Sequence, residues 1–202
     1  MMLVFAVLEG ISQLSEAGVL VPPDIRFEVY KQLAFWDLYF DSATGGEEIF
    51  SQLWPSFVTH GFLHGGVLHL VMNGVIFLAL GGMLANVLGT LRFLALFAMT
   101  AAAGALTFGV LAETNGPLVG ASGAIFGFFG ILKRWEWRHL RMYGGSYRRF
   151  LGTIIALVVL NVALFLFFPG GRIAWEAHLG GFVAGFLLGP VLGPRISGPS
   201  PI

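Results

Sequence analysis

Four apolar stretches of the sequence approach the length of a membrane-spanning helix, and they constrain the fold more than any other feature. They cover roughly residues 64–88, 91–112, 150–168 and 174–194. A helix needs about 20 apolar residues to cross the hydrocarbon core of a bilayer. Only 11% of the residues are charged, whereas soluble domains carry about 25%. The sequence therefore predicts an all-α, polytopic membrane protein.

A fifth apolar segment, residues 121–132, is too short to cross the membrane. The 11 residues from Ser122 to Leu132 are followed by Lys133 and Arg134, and they make a helix of roughly 16 Å. We therefore expect a short fourth helix that starts mid-membrane, preceded by irregular backbone over residues 114–120. Irregular backbone at membrane depth is tolerated only where protein or a water-filled cavity shields it. This is the first indication of a functional site.

The beginning of the sequence is apolar over residues 1–8, but several polar residues lie directly after this stretch. A cleaved signal peptide is one interpretation, although the segment has neither a basic start nor a small-residue cleavage pattern. We favour the outer part of a first spanning helix whose inner part is short or missing from the sequence. With the four long stretches and the short helix, this predicts six membrane-spanning helices.

The basic residues predict which side of the membrane each connection faces. Eight basic residues lie in connections on one side of the membrane: Lys133, Arg134, Arg138, Arg141, Arg148, Arg149, Arg92 and Arg195. Three lie on the other side: Arg26, Lys31 and Arg172. Cytoplasmic loops carry the excess of Lys and Arg. Residues 133–149 are therefore expected in the cytoplasm, and residues 22–59 on the opposite side.

The long first loop, residues 22–59, combines aromatic residues with six acids. This mixture favours the headgroup region, so we expect a membrane-embedded loop of short helices in the outer leaflet. A small aqueous cap domain is the alternative. Residues 1–194 are predicted to form one transmembrane domain, followed by a disordered tail over residues 195–202.

Composition also excludes several classes of function. The sequence has no cysteine, which excludes a disulfide scaffold, a cysteine nucleophile and cysteine-ligated zinc. Its formal net charge is zero, so nothing indicates a nucleic-acid partner. The lipid bilayer is the partner that the composition predicts.

Polar side chains inside the predicted membrane region are the candidates for function, because they are expensive to bury there. They form three groups: His60, His64, His69 and Asn73 around the start of the second helix; Ser122 in the run 120–127; and His178 in the last helix.

Helical geometry predicts that two of these groups meet. At about 100° per residue, His178 shares one face of the last helix with Gly181, Gly185 and Gly189. A second glycine stripe, Gly123, Gly127 and Gly130, lies beside Ser122. Small-residue stripes let membrane helices approach closely. If these stripes pack together, His178 comes within hydrogen-bonding reach of Ser122, as a nucleophile and base require.

The same region offers donors for an oxyanion. The backbone N–H of Ser122 lies at a helix N-terminus, and the side chains of His69 and Asn73 share one helix face. Preorganised donors of this kind stabilise the charge that develops in acyl transfer. Glu176 lies about 200° around the helix from His178, so we expect a Ser–His dyad. Packing, with Phe126 as an aromatic face, would hold the imidazole.

Each feature also has a purely structural interpretation. Glycine stripes are most often helix contacts, and His178 alone could be a buried core histidine. His60 and His64 at i,i+4 could bind zinc, but the sequence has no HExxH motif and no acid near the pair. We therefore expect no metal and no cofactor, and interpret both histidines as structural groups that bond loop backbone.

Taken together, these residues resemble the rhomboid intramembrane serine proteases. Three motifs match in order over roughly residues 54–190: the second-helix pattern His60…His64…His69…Asn73, the nucleophile motif Gly120-Ala121-Ser122-Gly123, and the last-helix pattern Ala177-His178…Gly181…Gly185. The resemblance implies a six-helix rhomboid-like bundle. It also implies Ser122 as nucleophile, His178 as general base, His69 and Asn73 as oxyanion donors, and Phe126 stacked on the base.

The resemblance further implies an intramembrane serine endopeptidase that needs no cofactor. Its substrates would be transmembrane proteins, cleaved near the extracytoplasmic end of their helix. A multi-pass protein of a bacterial inner membrane is the expected setting. The sequence departs from the family pattern at Pro55, where Arg often follows Trp54, and at Ala85, where an acid is common.

Two other functions remain open from the sequence. A proteolytically silent rhomboid-like protein would bind transmembrane clients, although such proteins usually lack the serine or the histidine. A histidine-lined transporter should carry polar residues along both halves of a pathway, whereas here they gather near one side.

Overall fold

The structure is a computed structural model, and it describes residues 1–19, 24–38, 47–112, 114, 116–167 and 173–193. The predicted disordered tail, residues 195–202, lies outside the described residues. So does most of the connection between the last two helices, residues 168–172.

The described chain is built almost entirely from helices. They are Met2–Glu16 (α1), Ile25–Leu33 (α2), Glu47–Thr59 (α3), Val67–Ile76 (α4), Gly82–Leu88 (α5), Thr90–Leu111 (α6), Ser122–Tyr143 (α7), Tyr147–Phe167 (α8) and Trp175–Leu192 (α9). A 3-10 turn covers His60–Phe62, a π-helical turn covers Phe77–Gly81, and two short strands are Phe35–Trp36 (β1) and Pro117–Leu118 (β2).

Three helices within the described residues are long and apolar enough to cross a membrane. The first is Val67–Leu88, in which α4, the π-helical turn and α5 form one continuous helix, and the others are Thr90–Leu111 and Trp175–Leu192. These three agree with the apolar stretches in the sequence, and they make the chain an integral membrane protein. The count of six spans stays a prediction.

Helix α7 corrects the prediction of a short fourth helix. It begins at Ser122 as expected, but it continues through Lys133 to Tyr143, for 22 residues in all. The ammonium group of Lys133, although only 7% of the residue is exposed, pairs with Glu136 one turn later. It also lies 5.5 Å from the ring centroid of Phe150. Because the charge finds partners on the helix and beside it, Lys133 does not end the helix.

Helix α1 belongs to the main core. Phe5 is fully buried, with its ring centroid 5.5 Å from that of Phe62 and 5.3 Å from that of Phe77. The helix has 15 residues. It therefore packs as part of the helix bundle, and its interpretation as a first spanning helix stays a prediction.

The first loop contains the predicted short helices, α2 and α3, and one feature that the sequence pattern did not predict. Strand β1 pairs antiparallel with β2, with Phe35 opposite Leu118 and Trp36 opposite Pro117. This pairing joins the first loop to the segment just before Ser122. Residues 39–46 lie outside the described part of the loop.

Helices α7 and α9 pack backbone to backbone along the two predicted glycine stripes. A Cβ atom added at Gly181 would lie 1.9 Å from the carbonyl oxygen of Gly123, and one added at Gly185 would lie 1.9 Å from that of Gly127. Without side chains at these positions the two helices reach van der Waals contact, which drives association where apolar lipid provides little hydrophobic force. This contact places the start of α7 against the start of α9.

Candidate active site

The segment before Ser122 is held in an irregular conformation by neighbouring elements. Pro117 and Leu118 pair with β1, and the N–H of Gly120 donates to the carbonyl oxygen of His60 over 3.0 Å. Gly120 has φ +120°, a region that side chains rarely allow. Ser122 then opens α7, so its backbone N–H lies in the first turn, where helix N–H groups lack intrahelical acceptors.

The two predicted oxyanion donors lie beside this segment. A Cβ atom added at Gly120 would be 2.8 Å from Nε2 of His69 and 3.4 Å from Nδ2 of Asn73. Both side chains belong to α4 and lie one turn apart, which places them on one helix face. The second-helix residues and the loop before Ser122 therefore meet at Gly120.

Hydrogen bonding sets which nitrogen of His69 carries the proton. Its Nδ1 accepts the N–H of Gly65 over 3.2 Å, so in the neutral ring Nε2 is protonated and faces Gly120. The Nδ2 group of Asn73 is buried and has no hydrogen-bond partner among the described residues. Buried donors are rarely left unpaired. Two N–H donors are thus available next to the start of α7.

His178 lies in the first turn of α9 and is 6% exposed. Its imidazole stacks on the ring of Phe126, with centroids 4.2 Å apart and an interplanar angle of 6°. The predicted contact between Phe126 and His178 is therefore present. Phe126 is one turn after Ser122 and shares its helix face, so the imidazole lies on the side of α7 that carries the serine.

The residues next to Ser122 and His178 are in contact with each other. A Cβ atom at Gly123, the residue after Ser122, would lie 3.3 Å from the oxygen of Ala177, the residue before His178. Within the described chain, no direct hydrogen bond joins the serine hydroxyl to the imidazole.

Asn161 is the site residue that the sequence reasoning missed. Its Oδ1 lies 2.5 Å from Nδ1 of His178, so an amide contact holds the imidazole in addition to the expected packing on Phe126. Asn161 lies in the middle of the apolar helix α8. Polar residues inside a spanning helix are functional candidates. The presence of an asparagine within this apolar stretch was therefore the signal that could have identified Asn161.

The other two histidines of the second-helix pattern behave differently. Nδ1 of His60 lies 2.8 Å from the carbonyl oxygen of Ser56, as expected for a structural residue. Neither ring nitrogen of His64 has a hydrogen-bond partner in the described structure. Instead, its ring packs 5.2 Å from that of His69 and 5.1 Å from that of Phe5, centroid to centroid. The backbone-bonding role expected for the His64 side chain stays a prediction.

Comparison with known proteins identifies the family of the chain. The family model described as the Rhomboid domain matches residues 51–195, which include every site residue described above. The chain belongs to the rhomboid family.

Several curated proteins are similar to this rhomboid chain. RHOMBOID-like protein 5 of Arabidopsis thaliana is 36% identical over 133 residues, 65% of this chain and 41% of its own length. The YdcA protein of Bacillus subtilis is 32% identical over 135 residues, 67% of this chain and 65% of its own length. Rhomboid protease GluP of Bacillus subtilis is 30% identical over 141 residues, 69% of this chain and 26% of its own length. The chain thus matches less than two thirds of the length of each.

A charged network joins the first loop of this rhomboid chain to α1 and to the backbone near His69. The Arg26 guanidinium donates to both carboxylate oxygens of Glu9, at 3.0 and 3.1 Å, and also pairs with Glu16. Burial by itself lowers the pKa of Arg26, but its hydrogen bonds to Glu9, Glu16 and Tyr30 outweigh that effect and raise the pKa above the ordinary value. Arg26 therefore stays charged and ties α2 to α1.

The same network holds the backbone next to His69. The carbonyl oxygen of His64 accepts hydrogen bonds from Arg26 over 2.9 Å and from the Tyr30 hydroxyl over 2.7 Å. The next residue, Gly65, donates its N–H to the His69 ring. Burial raises the pKa of Tyr30, and its hydrogen bond with Arg26 offsets part of that rise. The sequence pattern did not reveal this network.

Proposed function

We propose that this rhomboid chain is an intramembrane serine endopeptidase that cleaves transmembrane segments of membrane proteins near the extracytoplasmic side. Ser122 is the nucleophile and His178 is the general base. The backbone N–H of Ser122 and the side chains of His69 and Asn73 stabilise the oxyanion. Phe126 holds the imidazole by stacking, and no metal or cofactor takes part.

One observation carries this proposal: His69 and Asn73 both reach the backbone at Gly120, two residues before Ser122. Acyl transfer needs donors close to the position where the substrate carbonyl oxygen becomes negative. A serine that was only packing material would not need two side-chain donors beside its helix start. One of them, Nδ2 of Asn73, is buried without a hydrogen-bond partner within the described residues.

The chemistry proceeds in two halves. Ser122 Oγ attacks the substrate carbonyl carbon while the hydroxyl proton passes to Nε2 of His178. The attack produces a tetrahedral intermediate, and the three N–H donors bind the oxyanion of this intermediate. The imidazolium then protonates the leaving amine as the C–N bond breaks, and an acyl-enzyme remains. Water, deprotonated by the same imidazole, attacks the acyl carbon, and the proton returns to Ser122 Oγ on release of the carboxylic acid.

Substrate cleavage by the purified chain tests the assignment. The detergent-solubilised protein is incubated with a transmembrane reporter, beside Ser122→Ala and the control Ser146→Ala, which alters an exposed serine in a connection. We expect cleavage by the unmodified chain and by Ser146→Ala, and none by Ser122→Ala although its fold survives. Full activity of Ser122→Ala would exclude the protease assignment. Binding of the reporter without cleavage by the unmodified chain would favour the client-binding alternative.

Two additions extend this assay. A chelator such as EDTA should leave the rate of reporter cleavage unchanged, and a chelator-sensitive rate would support the zinc interpretation of His60 and His64.

A fluorophosphonate should label Ser122 in the unmodified chain, and His178→Ala should slow that labelling strongly. Labelling at an unaltered rate in His178→Ala would remove His178 as the base.

The proposed orientation is tested with single cysteines, because the natural sequence has none. Ser146→Cys and Val19→Cys place thiols at two exposed positions. The basic segment 133–149 predicts that Ser146 lies in the cytoplasm and Val19 on the opposite side. A membrane-impermeant maleimide added to intact cells should label only Val19→Cys, and the reverse result would invert the orientation.

A further inference from the structure

We infer that Asn161 is a positioning residue for His178, so that the site works as a Ser–His–Asn triad in which an amide takes the place of a carboxylate. This inference rests on the proposed proteolytic function. It adds a third residue, contributed by α8, to the serine of α7 and the histidine of α9.

The contact itself is short and specific. Asn161 Oδ1 lies 2.5 Å from His178 Nδ1, close enough that the two atoms must share a hydrogen. Asn161 is partly buried, whereas its neighbours Val158 and Val162 are 57% and 51% exposed. The amide therefore lies on the side of α8 that faces the bundle, and the two valines lie on the exposed side.

A second hydrogen bond determines which end of the Asn161 amide meets the imidazole. Its Nδ2 donates to the carbonyl oxygen of Leu157, one turn earlier, over 3.1 Å. A carbonyl oxygen only accepts hydrogen bonds, so the NH₂ group must face Leu157 and Oδ1 must face His178. Nδ1 of His178 is then the donor. The backbone of α8 thereby fixes the tautomer of a ring on a different helix.

This tautomer is the one that a general base needs. With the proton on Nδ1, the lone pair of the neutral ring is on Nε2 and is free to take the proton of Ser122. When Nε2 is protonated, Nδ1–H continues to donate to Oδ1 of Asn161, and no proton passes to the amide. Stacking on Phe126 sets the plane of the ring, but it does not choose between the two nitrogens. Asn161 makes that choice.

The first test compares three variants on the full chain. Asn161→Leu removes the acceptor oxygen at similar side-chain volume, and Asn161→Asp keeps an acceptor oxygen. Asn86→Leu is the control, because it makes the same replacement at an exposed position in α5. We expect Asn161→Leu to lower kcat on the transmembrane reporter about tenfold or more. Fluorophosphonate labelling of Ser122 should slow by a similar factor, with KM little changed. Asn161→Asp should recover most of the rate, and Asn86→Leu should equal the unmodified chain.

These outcomes separate positioning from a merely structural contribution. Wild-type kcat in Asn161→Leu, or an Asn161→Asp variant as slow as Asn161→Leu, would overturn the inference. If the unmodified chain neither cleaves the reporter nor reacts with fluorophosphonate, the proposed function fails instead. The two failures are therefore distinguishable.

A spectroscopic test needs no Asn161 variant and does not depend on its folding. The chain is labelled with ¹⁵N-histidine, and the His178 signals are identified by their absence from the spectrum of His178→Ala. At neutral pH we expect a protonated Nδ1 and an unprotonated Nε2 on His178. A signal showing the proton on Nε2 would overturn the inference.

Discussion

Gly181 lies so close to Gly123 that a methyl group added at Gly181 would sit 1.9 Å from the Gly123 carbonyl oxygen. The backbones of α7 and α9 are therefore in contact at this point. Ser122 is adjacent to Gly123, and His178 lies one turn before Gly181 on the same helix face. This contact places the helix start that carries Ser122 against the helix that carries His178.

Filling the glycine contact further along should destabilise the bundle. In Gly185→Ala, the new methyl group would lie 1.9 Å from the carbonyl oxygen of Gly127, so the helices must move apart. We expect a loss of at least about 1–3 kcal/mol, as overpacking typically costs, seen as a lower unfolding temperature in detergent. Gly152→Ala is the matched control, because nothing lies within 4 Å of its added Cβ. Equal stability of Gly185→Ala and the unmodified chain would contradict the packing described here.

A side chain at Gly120 should damage catalysis more than folding. Gly120 has φ +120°, and its added Cβ would lie 2.8 Å from the His69 ring. We expect Gly120→Ala to lower kcat on the reporter about tenfold or more, because the new methyl group forces the His69 imidazole away from its place as an oxyanion donor. The control is Gly82→Ala, where the added Cβ meets nothing within 4 Å. A Gly120→Ala variant that cleaves the reporter as fast as this control would show that the position of His69 is not critical.

Removing the Asn73 amide should affect the transition state and not substrate binding. Its buried Nδ2 has no hydrogen-bond partner in the described part of the chain, so it is available for an oxyanion. We expect Asn73→Ala to lower kcat about 10²–10³-fold, as loss of one such donor typically does, with little change in KM. Asn86→Ala, at an exposed position, serves as the control. A change in KM alone would argue against an oxyanion role.

The hydroxyl of Tyr30 should make the stability of the chain sensitive to alkaline pH. Burial raises the pKa of this hydroxyl in the folded chain, so the unfolded chain loses the proton first, near its ordinary pKa of about 10. The contribution of the protonated Tyr30 hydroxyl to the free energy of unfolding is therefore complete below about pH 10. It is lost as the pH rises toward the pKa of Tyr30 in the folded chain. We expect Tyr30→Phe to be less stable than the unmodified chain at pH 7, and the difference between the two to shrink above pH 10.

Thermal unfolding in detergent between pH 7 and pH 11 measures this difference. Tyr143→Phe is the control, because Tyr143 is 53% exposed, and its curve should run parallel to that of the unmodified chain. A difference between Tyr30→Phe and the unmodified chain that stays constant across this pH range would contradict a coupled titration of Tyr30.

Much of the site was predictable because it depends on local periodicity. Helical geometry placed His69 and Asn73 on one face and predicted the glycine stripes that the structure brings together. It also predicted that Phe126, one turn after Ser122, would meet the base. These relationships repeat every three or four residues, so the order of residues is sufficient to reveal them.

Other features involve residues far apart in the chain, and no local pattern indicates them. Asn161 meets His178, 17 residues away on another helix, and the Arg26 guanidinium reaches the carbonyl oxygen of His64, 38 residues away. The pairing of β1 with β2 joins residues 35–36 to residues 117–118. The length of α7 was misjudged for a related reason, because the partner that accommodates Lys133 beside the helix, Phe150, belongs to α8.

The amino-acid sequence by itself determined that this chain enters a membrane, which helix faces approach closely, and which residue types are available for acyl transfer. The length of an apolar stretch and the helical period are properties of one helix at a time, so they can be predicted from the order of residues. Only the tertiary structure decided which ring nitrogen accepts a proton in His69 and in His178. Gly65 determines it for His69, and Asn161 for His178. A tautomer depends on the hydrogen-bond partner that folding places against the ring, and that partner comes from a turn or from another helix.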